Sequence, residues 1–423
     1  MNTQQSQRVA FATLGCKLNY AESSTLSRQF EAAGYVVVPP TQVADVYVIN
    51  TCSVTEHSDK KCRNIIRRLS KRNPDAIVAV TGCYAQLKAE EIAAIPGVDL
   101  VVGADQKGNL FARLADLSSQ KVKGPGRVHA CAIHEVTSIF PAYSTGERTR
   151  SFLKVQDGCN YRCSYCTIPL ARGESRNIPI ATAVEEAERI AASGVREIVL
   201  TGVNTGDFGR TTGESFLDLL KALNQVEGIE RYRISSIEPN LLTEEILQWI
   251  ASGTKFAPHF HVPLQSGSDA VLAAMRRRYN TTRFREKIAL IRQYLDHVFI
   301  GIDVIVGFPG ETQEHFEETY RLLEELQPSF LHVFPYSRRP GTDAAMMPGQ
   351  VDERIKEERV ARLTALSDRL HVAFCQANEG REESVLFEST IKGGMMYGYT
   401  SNYIRVERPY DRTSIGKMIK VTL

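Results

Sequence analysis

Asp157-Gly158-Cys159-Asn160-Tyr161-Arg162-Cys163-Ser164-Tyr165-Cys166 follows directly on a β-rich run at 152–156, and the fold assignment turns on it. The CxxxCxxC spacing lets one short loop wrap three thiolates around a single inorganic core. A structural zinc normally takes four protein ligands, whereas a 4Fe-4S cluster held by three cysteines keeps one iron open to a substrate. A zinc knuckle completed by a distant His or Cys, or three unrelated core cysteines, would be the bland alternatives. The open shell favours the cluster.

Beyond this loop, further strand-like runs fall at 197–203, 231–237, 259–264, 298–306 and 330–334, alternating with amphipathic helical stretches. With 152–156 they make six βα repeats, and the rhythm stops after Pro348. An eight-stranded barrel would need two more units, so an open, partial (β/α)6 barrel is expected. Upstream, strands at 8–14, 45–51, 76–81 and 100–103 alternate with helices at 20–33 and 58–72, which predicts an open parallel α/β domain. Residues 118–150 lack sustained periodicity and read as a connection. Residues 351–377 read as one long charged helix, and the chain becomes β-rich from Gly380. The fold class is therefore α/β, with domains expected at 1–143, 144–350 and 380–423 and a linker helix at 351–379.

Composition bounds the function. A chain of 423 residues requires several cores, and 43% hydrophobic with 24% charged residues is ordinary for a globular protein. The net charge is only +2, from 51 basic and 49 acidic side chains, so any affinity for nucleic acid must be local. Nine cysteines are an odd and sparse set for a disulfide scaffold, and residues 2–8 are polar, so reduced thiols in the cytoplasm are expected. No apolar run is long enough to predict a membrane span.

A second constellation lies upstream. Cys16, Cys52 and Cys83 stand in Gly15-Cys16-Lys17-Leu18-Asn19, Thr51-Cys52-Ser53 and Gly82-Cys83-Tyr84-Ala85-Gln86, each just after a predicted strand. The carboxyl ends of parallel strands share one rim of an open sheet, so these cysteines can converge despite separations of 36 and 31 residues. Gly15 and Gly82 would let the backbone approach a bulky cluster. Cys62 shares an apolar helix face with Ile65, Ile66 and Leu69 and reads as core. Cys131 and Cys375 receive no ligand role.

The CxxxCxxC loop, with aromatic Tyr165 before its last cysteine, resembles the radical SAM superfamily. That likeness implies S-adenosylmethionine bound at the open iron and cleaved to a 5'-deoxyadenosyl radical. The two triads together resemble the methylthiotransferase family, in which Cys16, Cys52 and Cys83 would hold an auxiliary 4Fe-4S cluster and Cys159, Cys163 and Cys166 the radical SAM cluster. Further matching stretches are Ile168-Pro169-Leu170-Ala171-Arg172-Gly173, Thr201-Gly202-Val203-Asn204, Ser235-Ser236-Ile237-Glu238-Pro239, His261-Val262-Pro263-Leu264-Gln265-Ser266-Gly267-Ser268 and Gly307-Phe308-Pro309-Gly310-Glu311-Thr312. Tyr165, Gly202, Asn204, Ser236, Glu238 and Gln265 are the S-adenosylmethionine contacts the resemblance implies. It also implies two S-adenosylmethionine molecules per turnover, one as methyl donor and one as radical source, with sulfur carried on the auxiliary cluster and no protein acid or base.

Gly-Cys-Lys-Leu-Asn at 15–19 is most similar to the branch acting on N6-threonylcarbamoyladenosine in tRNA. The branches acting on isopentenyladenosine or on ribosomal protein S12 are the alternatives, and a non-catalytic iron-sulfur RNA-binding protein is the alternative of another class. Expected partners are the tRNA anticodon stem-loop, an electron donor such as flavodoxin or ferredoxin, and a sulfur donor, with the enzyme a monomer.

RNA affinity has one strong local candidate. Residues 60–72 hold seven basic side chains and no acid, with Lys60, Arg63, Arg67 and Lys71 on one helical stripe, which reads as a phosphate track. Arg276-Arg277-Arg278 and Arg338-Arg339 are weaker candidates that could form ion pairs instead. Residues 380–423 resemble a TRAM-type RNA-binding β domain, with Tyr399, Asn402 and Tyr403 as candidate nucleotide contacts. The segment is short for a domain of that type, so docking on the rest of the chain is expected. His259 and His261 share a strand face but read as a packed pair rather than a metal pair, and Asp303 receives no role.

Overall fold

A computed structural model describes residues 6–115, 117, 124–146 and 149–423; parts of the expected connector, 118–123 and 147–148, lie outside the described residues. The chain forms two compact units, the first made of residues 1–144, 156–161 and 167–178, the second of 145–155, 162–166 and 179–423. The division does not follow a single cut near residue 143, because two short segments around the cysteine loop belong to the first unit.

In the first unit, β1 (Arg8–Thr13), β2 (Val36–Val38), β3 (Val46–Thr51), β4 (Ile77–Gly82), β5 (Leu100–Val102) and β6 (Arg127–His129) form one parallel sheet in the order β2-β1-β3-β4-β5-β6. β3 is buried along its whole length, as a central parallel strand covered on both faces must be. Tyr47 and Ile49 pack into one core with Ile66 and Leu69; Val46 and Val48 pack into the other with Leu26 and Phe30. β2 and β6 escape the sequence reading because three residues are too few to show a period, and β6 lies in the stretch expected to be irregular.

Two helices flank the cysteine-bearing loops of this sheet. α1 (Lys17–Ala32) starts immediately after Cys16. α2 (Glu56–Arg72) is capped by Thr55, whose hydroxyl accepts from Ser58 N, and carries Glu56 and Asp59 at its start and Lys71 and Arg72 at its end, matching the helix dipole.

The second unit contains six parallel strands met in chain order. Arg150–Lys154, Glu197–Thr201 and Arg231–Ile234 form one run, and His259–His261, Phe299–Val306 and Phe330–Pro335 another. An isolated parallel bridge between Ser236 and His261 joins the two runs. With the intervening helices this is the expected partial (β/α)6 barrel. The helix Glu353–Gln376 follows as one piece and is fastened to the last strand by Leu331 N donating to Ser367 Oγ at 2.9 Å.

The chain ends in a four-stranded antiparallel sheet, ordered Arg405–Pro409, Met395–Tyr399, Glu382–Lys392, Met418–Thr422. Its docking on the barrel is built around a buried cluster of charges. Glu197, buried at the start of its strand, accepts from Arg233 Nε at 2.8 Å and from Arg231. The same two arginines donate outward to backbone carbonyls of the terminal sheet region: Arg231 to Ser384 O (2.9 Å) and Tyr399 O (3.1 Å), Arg233 to Thr400 O (2.6 Å) and Ser401 O (2.7 Å). Arg150 adds an ion pair to Glu388 at 2.8 Å. Among the described residues, no helix is long and apolar enough to cross a membrane.

Candidate metal centres

Cys16, Cys52 and Cys83 follow β1, β3 and β4, which are neighbours in the sheet, with Thr13 level with Asn50 and Thr51 level with Gly82. Adjacent strands lie roughly 4.8 Å apart, so the three loops leave one rim side by side. Gly15 has φ +101°, and a Cβ there would lie 2.9 Å from Cys52 Sγ; Gly82 has φ +102°, and a Cβ there would lie 2.3 Å from Thr51 O. Only glycine satisfies both the backbone twist and the contact.

Asn19 braces this rim. Its amide donates to Leu14 O (2.8 Å) and Thr51 O (2.9 Å), tying the first loop to the second, and its Oδ1 lies 4.0 Å from Cys16 Sγ. Asn50 returns a hydrogen bond to Asn19 O at 3.0 Å. Cys62 is core, as expected, and its thiol donates to Cys52 O at 3.3 Å beneath the rim.

Behind Asn19 lies a buried charged network that the sequence did not disclose. Arg172 donates to Asn19 Oδ1 (2.6 Å) and Asp157 Oδ1 (2.8 Å) and reaches Glu22 at 3.3 Å, while Lys107 pairs with Glu22 at 2.6 Å. Two cations and two anions thus compensate each other. Burial pushes the Cys52 thiol up to about 11 and the Cys83 thiol upward too, with the Arg172 charge pulling both back. Three cysteines on loops that leave neighbouring strand ends, two of them buried, beside a fixed guanidinium, fit a group that binds thiolates and displaces their protons.

The CxxxCxxC loop is anchored at both ends, each within its own unit. At its start, Gly158 (φ +72°) passes so close to Glu174 that a Cβ would lie 2.0 Å from its carbonyl, Cys159 N donates to Gly173 O at 3.0 Å, and Gln156 Nε2 donates to Gly158 O at 2.7 Å. These contacts belong to the antiparallel pair Gln156–Asp157 with Arg176–Asn177. At its end, Cys166 N donates to Cys163 O at 3.1 Å, and Ser164 is held by Ala274 O (Oγ, 2.8 Å) and Met275 O (N, 3.1 Å). Tyr165 meets Phe308 edge-on at 6.5 Å.

The implied S-adenosylmethionine contacts lie at or just beyond the carboxyl ends of barrel strands, where ligands of such barrels bind. Gly202 and Asn204 follow Glu197–Thr201, and Asn204 opens the turn Thr205–Asp207. Ser236 is the bridge partner of His261. Gln265 holds φ +73°, unusual for a non-glycine, while bridging to Val304. Glu238 is ion-paired to Arg277, whose guanidinium also donates to Cys163 Sγ at 3.2 Å. Arg277 therefore turns inward, its side chain 3% exposed, and Arg276 pairs with Asp343.

The histidines separate. His259 stacks on Phe299 at 5.0 Å. His261 Nε2 lies 2.6 Å from Asp303 Oδ1, and His332 completes a half-buried trio that no sequence spacing announced.

Along α2, Lys60, Arg67 and Lys71 are exposed, but Arg63 is committed: it donates to Tyr84 OH at 2.7 Å and lies 3.5 Å from Glu91, an acid from outside the helix. Asn402 departs from expectation more sharply. It is 1% exposed, donating to His297 O (3.0 Å) and Asn378 Oδ1 (2.9 Å) and accepting from Thr400, so its amide is spent inside the fold. Tyr399 and Tyr403, both half-buried, stack at 4.8 Å over Arg150 and Arg233 and so contribute to the docking seam.

Residues 8–103 match the uncharacterized protein family UPF0004, and residues 153–323 match the radical SAM superfamily. The threonylcarbamoyladenosine tRNA methylthiotransferase MtaB of Bacillus subtilis is 42% identical, covering 98% of this chain and 93% of its own length. The MtaB of Aquifex aeolicus is 39% identical over 98% of this chain and 100% of its own. The tRNA-2-methylthio-N(6)-dimethylallyladenosine synthase of Alkaliphilus oremlandii is 33% identical over 100% and 91%. Among solved structures, the radical S-adenosylmethionine methyltransferase TsrM of Kitasatospora setae aligns with a TM-score of 0.57 at 16% identity, covering 81% of this chain and 77% of that one, a likeness of fold.

Proposed function

Because the chain belongs to the radical SAM tRNA methylthiotransferases of the MtaB type, we propose that it places a methylthio group on C2 of N6-threonylcarbamoyladenosine beside the tRNA anticodon. Its cofactors are S-adenosylmethionine and two 4Fe-4S clusters. When bound, they supply the methyl group, the sulfur and the adenosyl radical that an unactivated aromatic C–H requires.

The chain's own residues hold and shield. Cys16, Cys52 and Cys83 ligate the auxiliary cluster, with Asn19 and Arg172 fixing the loops that carry them. Cys159, Cys163 and Cys166 would hold the second cluster, and Tyr165, Gly202, Asn204, Ser236, Glu238 and Gln265 would bind S-adenosylmethionine beside it. Lys60, Arg67 and Lys71 engage RNA phosphates. A flavodoxin or ferredoxin delivers the electron, and a separate donor the sulfur.

The observation that supports this reading is that three cysteine loops leave adjacent strand ends, two of them opened by positive-φ glycines. Nucleoside analysis of tRNA from a deletion strain tests it: unthiolated threonylcarbamoyladenosine accumulates. An unchanged profile sinks the substrate assignment, and accumulation of unthiolated isopentenyladenosine transfers it to the other tRNA branch.

A further inference from the structure

We propose that Arg277 is a positioning residue that sets the reduction potential of the cluster held by Cys163, with Glu238 as the counter-charge that limits its effect. The inference rests on the reading of Cys163 as a cluster ligand.

The geometry is fixed from two directions. The helix Asp269–Ala274 ends with Arg276 in the left-handed region (φ +59°), and Arg277 N closes the turn onto Leu272 O at 2.9 Å, which aims the next side chain back across the helix end. The cysteine loop is bound to that same helix end through Ser164, whose N and Oγ donate to Met275 O and Ala274 O at 3.1 and 2.8 Å. Arg277 and Cys163 therefore share one rigid frame. Tyr279 completes it: its hydroxyl accepts from Arg277 Nη2 at 2.9 Å and donates to Pro263 O at 2.5 Å.

Within that frame, Arg277 Nη1 lies 3.2 Å from Cys163 Sγ, with the Arg277 side chain 3% exposed. A reduced cluster carries one more negative charge than an oxidised one. A buried cation and an N–H donor at the ligating sulfur stabilise the reduced form and raise the potential. Solvent does little to screen a charge held this way. Glu238, paired to the other end of the guanidinium, draws part of that field away, so the two side chains act with opposite sign.

Reductive titration of the reconstituted holoenzyme followed by electron paramagnetic resonance tests this, reading the component that is missing from a Cys163→Ala variant. Arg277→Gln shifts the reduction equilibrium about tenfold toward the oxidised form, or about 59 mV downward for a one-electron couple. Glu238→Gln shifts it upward, and Arg277→Lys, which keeps the charge, stays near wild type. A purely structural role for Arg277 would not move the two neutralising variants in opposite directions. Shifts of the same sign, or no shift with iron content retained, overturn the inference. If Arg277→Gln loses iron, Glu238→Gln decides: an unmoved or lowered potential overturns it. A wild-type enzyme without the Cys163-dependent component refutes the ligand reading itself.

Discussion

Replacing Glu197 by Gln leaves three arginines in the docking seam without their shared anion. Burial alone would push the Glu197 carboxyl up, but Arg233, Arg231 and Arg150 override it and hold it down to about 2, against an ordinary value of 4.5. At roughly 1.4 kcal/mol per pKa unit, that difference corresponds to about 3 kcal/mol of stability. Stranding buried partners of a broken ion pair gives a similar figure, about 3 to 5 kcal/mol. Arg231 and Arg233 are the residues that hold Ser384, Tyr399, Thr400 and Ser401, so the loss falls on the terminal sheet. A cost of about 3 kcal/mol raises the open population on the order of 100-fold. Hydrogen exchange at pH 7 should show amides of Met395–Tyr399 and Arg405–Pro409 exchanging faster by that factor in Glu197→Gln. Because the folded carboxyl titrates low, its contribution is present above the unfolded value and fades as pH falls from about 4.5 toward about 2. Wild type should therefore lose protection of the terminal sheet through that window, and the Gln variant should not. Equal protection of the two proteins at pH 7 would refute the account of the seam.

The rim offers two further tests. Asn19→Ala removes hydrogen bonds to Leu14 O and Thr51 O and strands an Arg172 nitrogen, at a cost of about 2 to 3 kcal/mol, so anaerobic iron content should fall from about eight to about four per chain. Gly82→Ala should lose the same four, roughly, because its Cβ meets Thr51 O, while Gly34→Ala, with φ +89° and open space, should cost only about 1 kcal/mol and leave iron unchanged. On α2, a Lys60→Ala, Arg67→Ala, Lys71→Ala variant should weaken tRNA binding and flatten the log affinity against log salt slope by about 2 to 3; Arg63→Ala, whose charge is engaged by Glu91, should change that slope least.

The barrel and the parallel sheet were legible because their strands are long enough to show a period and their cysteines fall at strand ends. The three-residue strands β2 and β6 carry no such period. Asn19 and Arg172 both stood within stretches singled out in the sequence, yet nothing local says that residues 153 positions apart share a hydrogen bond. Arg277 and Arg278 look alike in sequence; a left-handed turn at Arg276 sends Arg277 inward. Asn402 misled for a related reason: a polar residue in a β segment suits a nucleotide and a buried seam equally well.

The first unit takes Asp157 and Arg172 from segments that lie beyond residue 144. A gene fragment ending there would encode the whole sheet and all three rim cysteines, yet leave Glu22 without one of its two cations and Asn19 without the guanidinium on its Oδ1. The amino-terminal body is consequently not a cassette that recombination can move by one crossover. Residues 156–178 would have to travel with it, and they bring the second cysteine triad along. The two cysteine-bearing parts are interleaved along the chain, so a fragment that keeps the first intact carries the loop of the second.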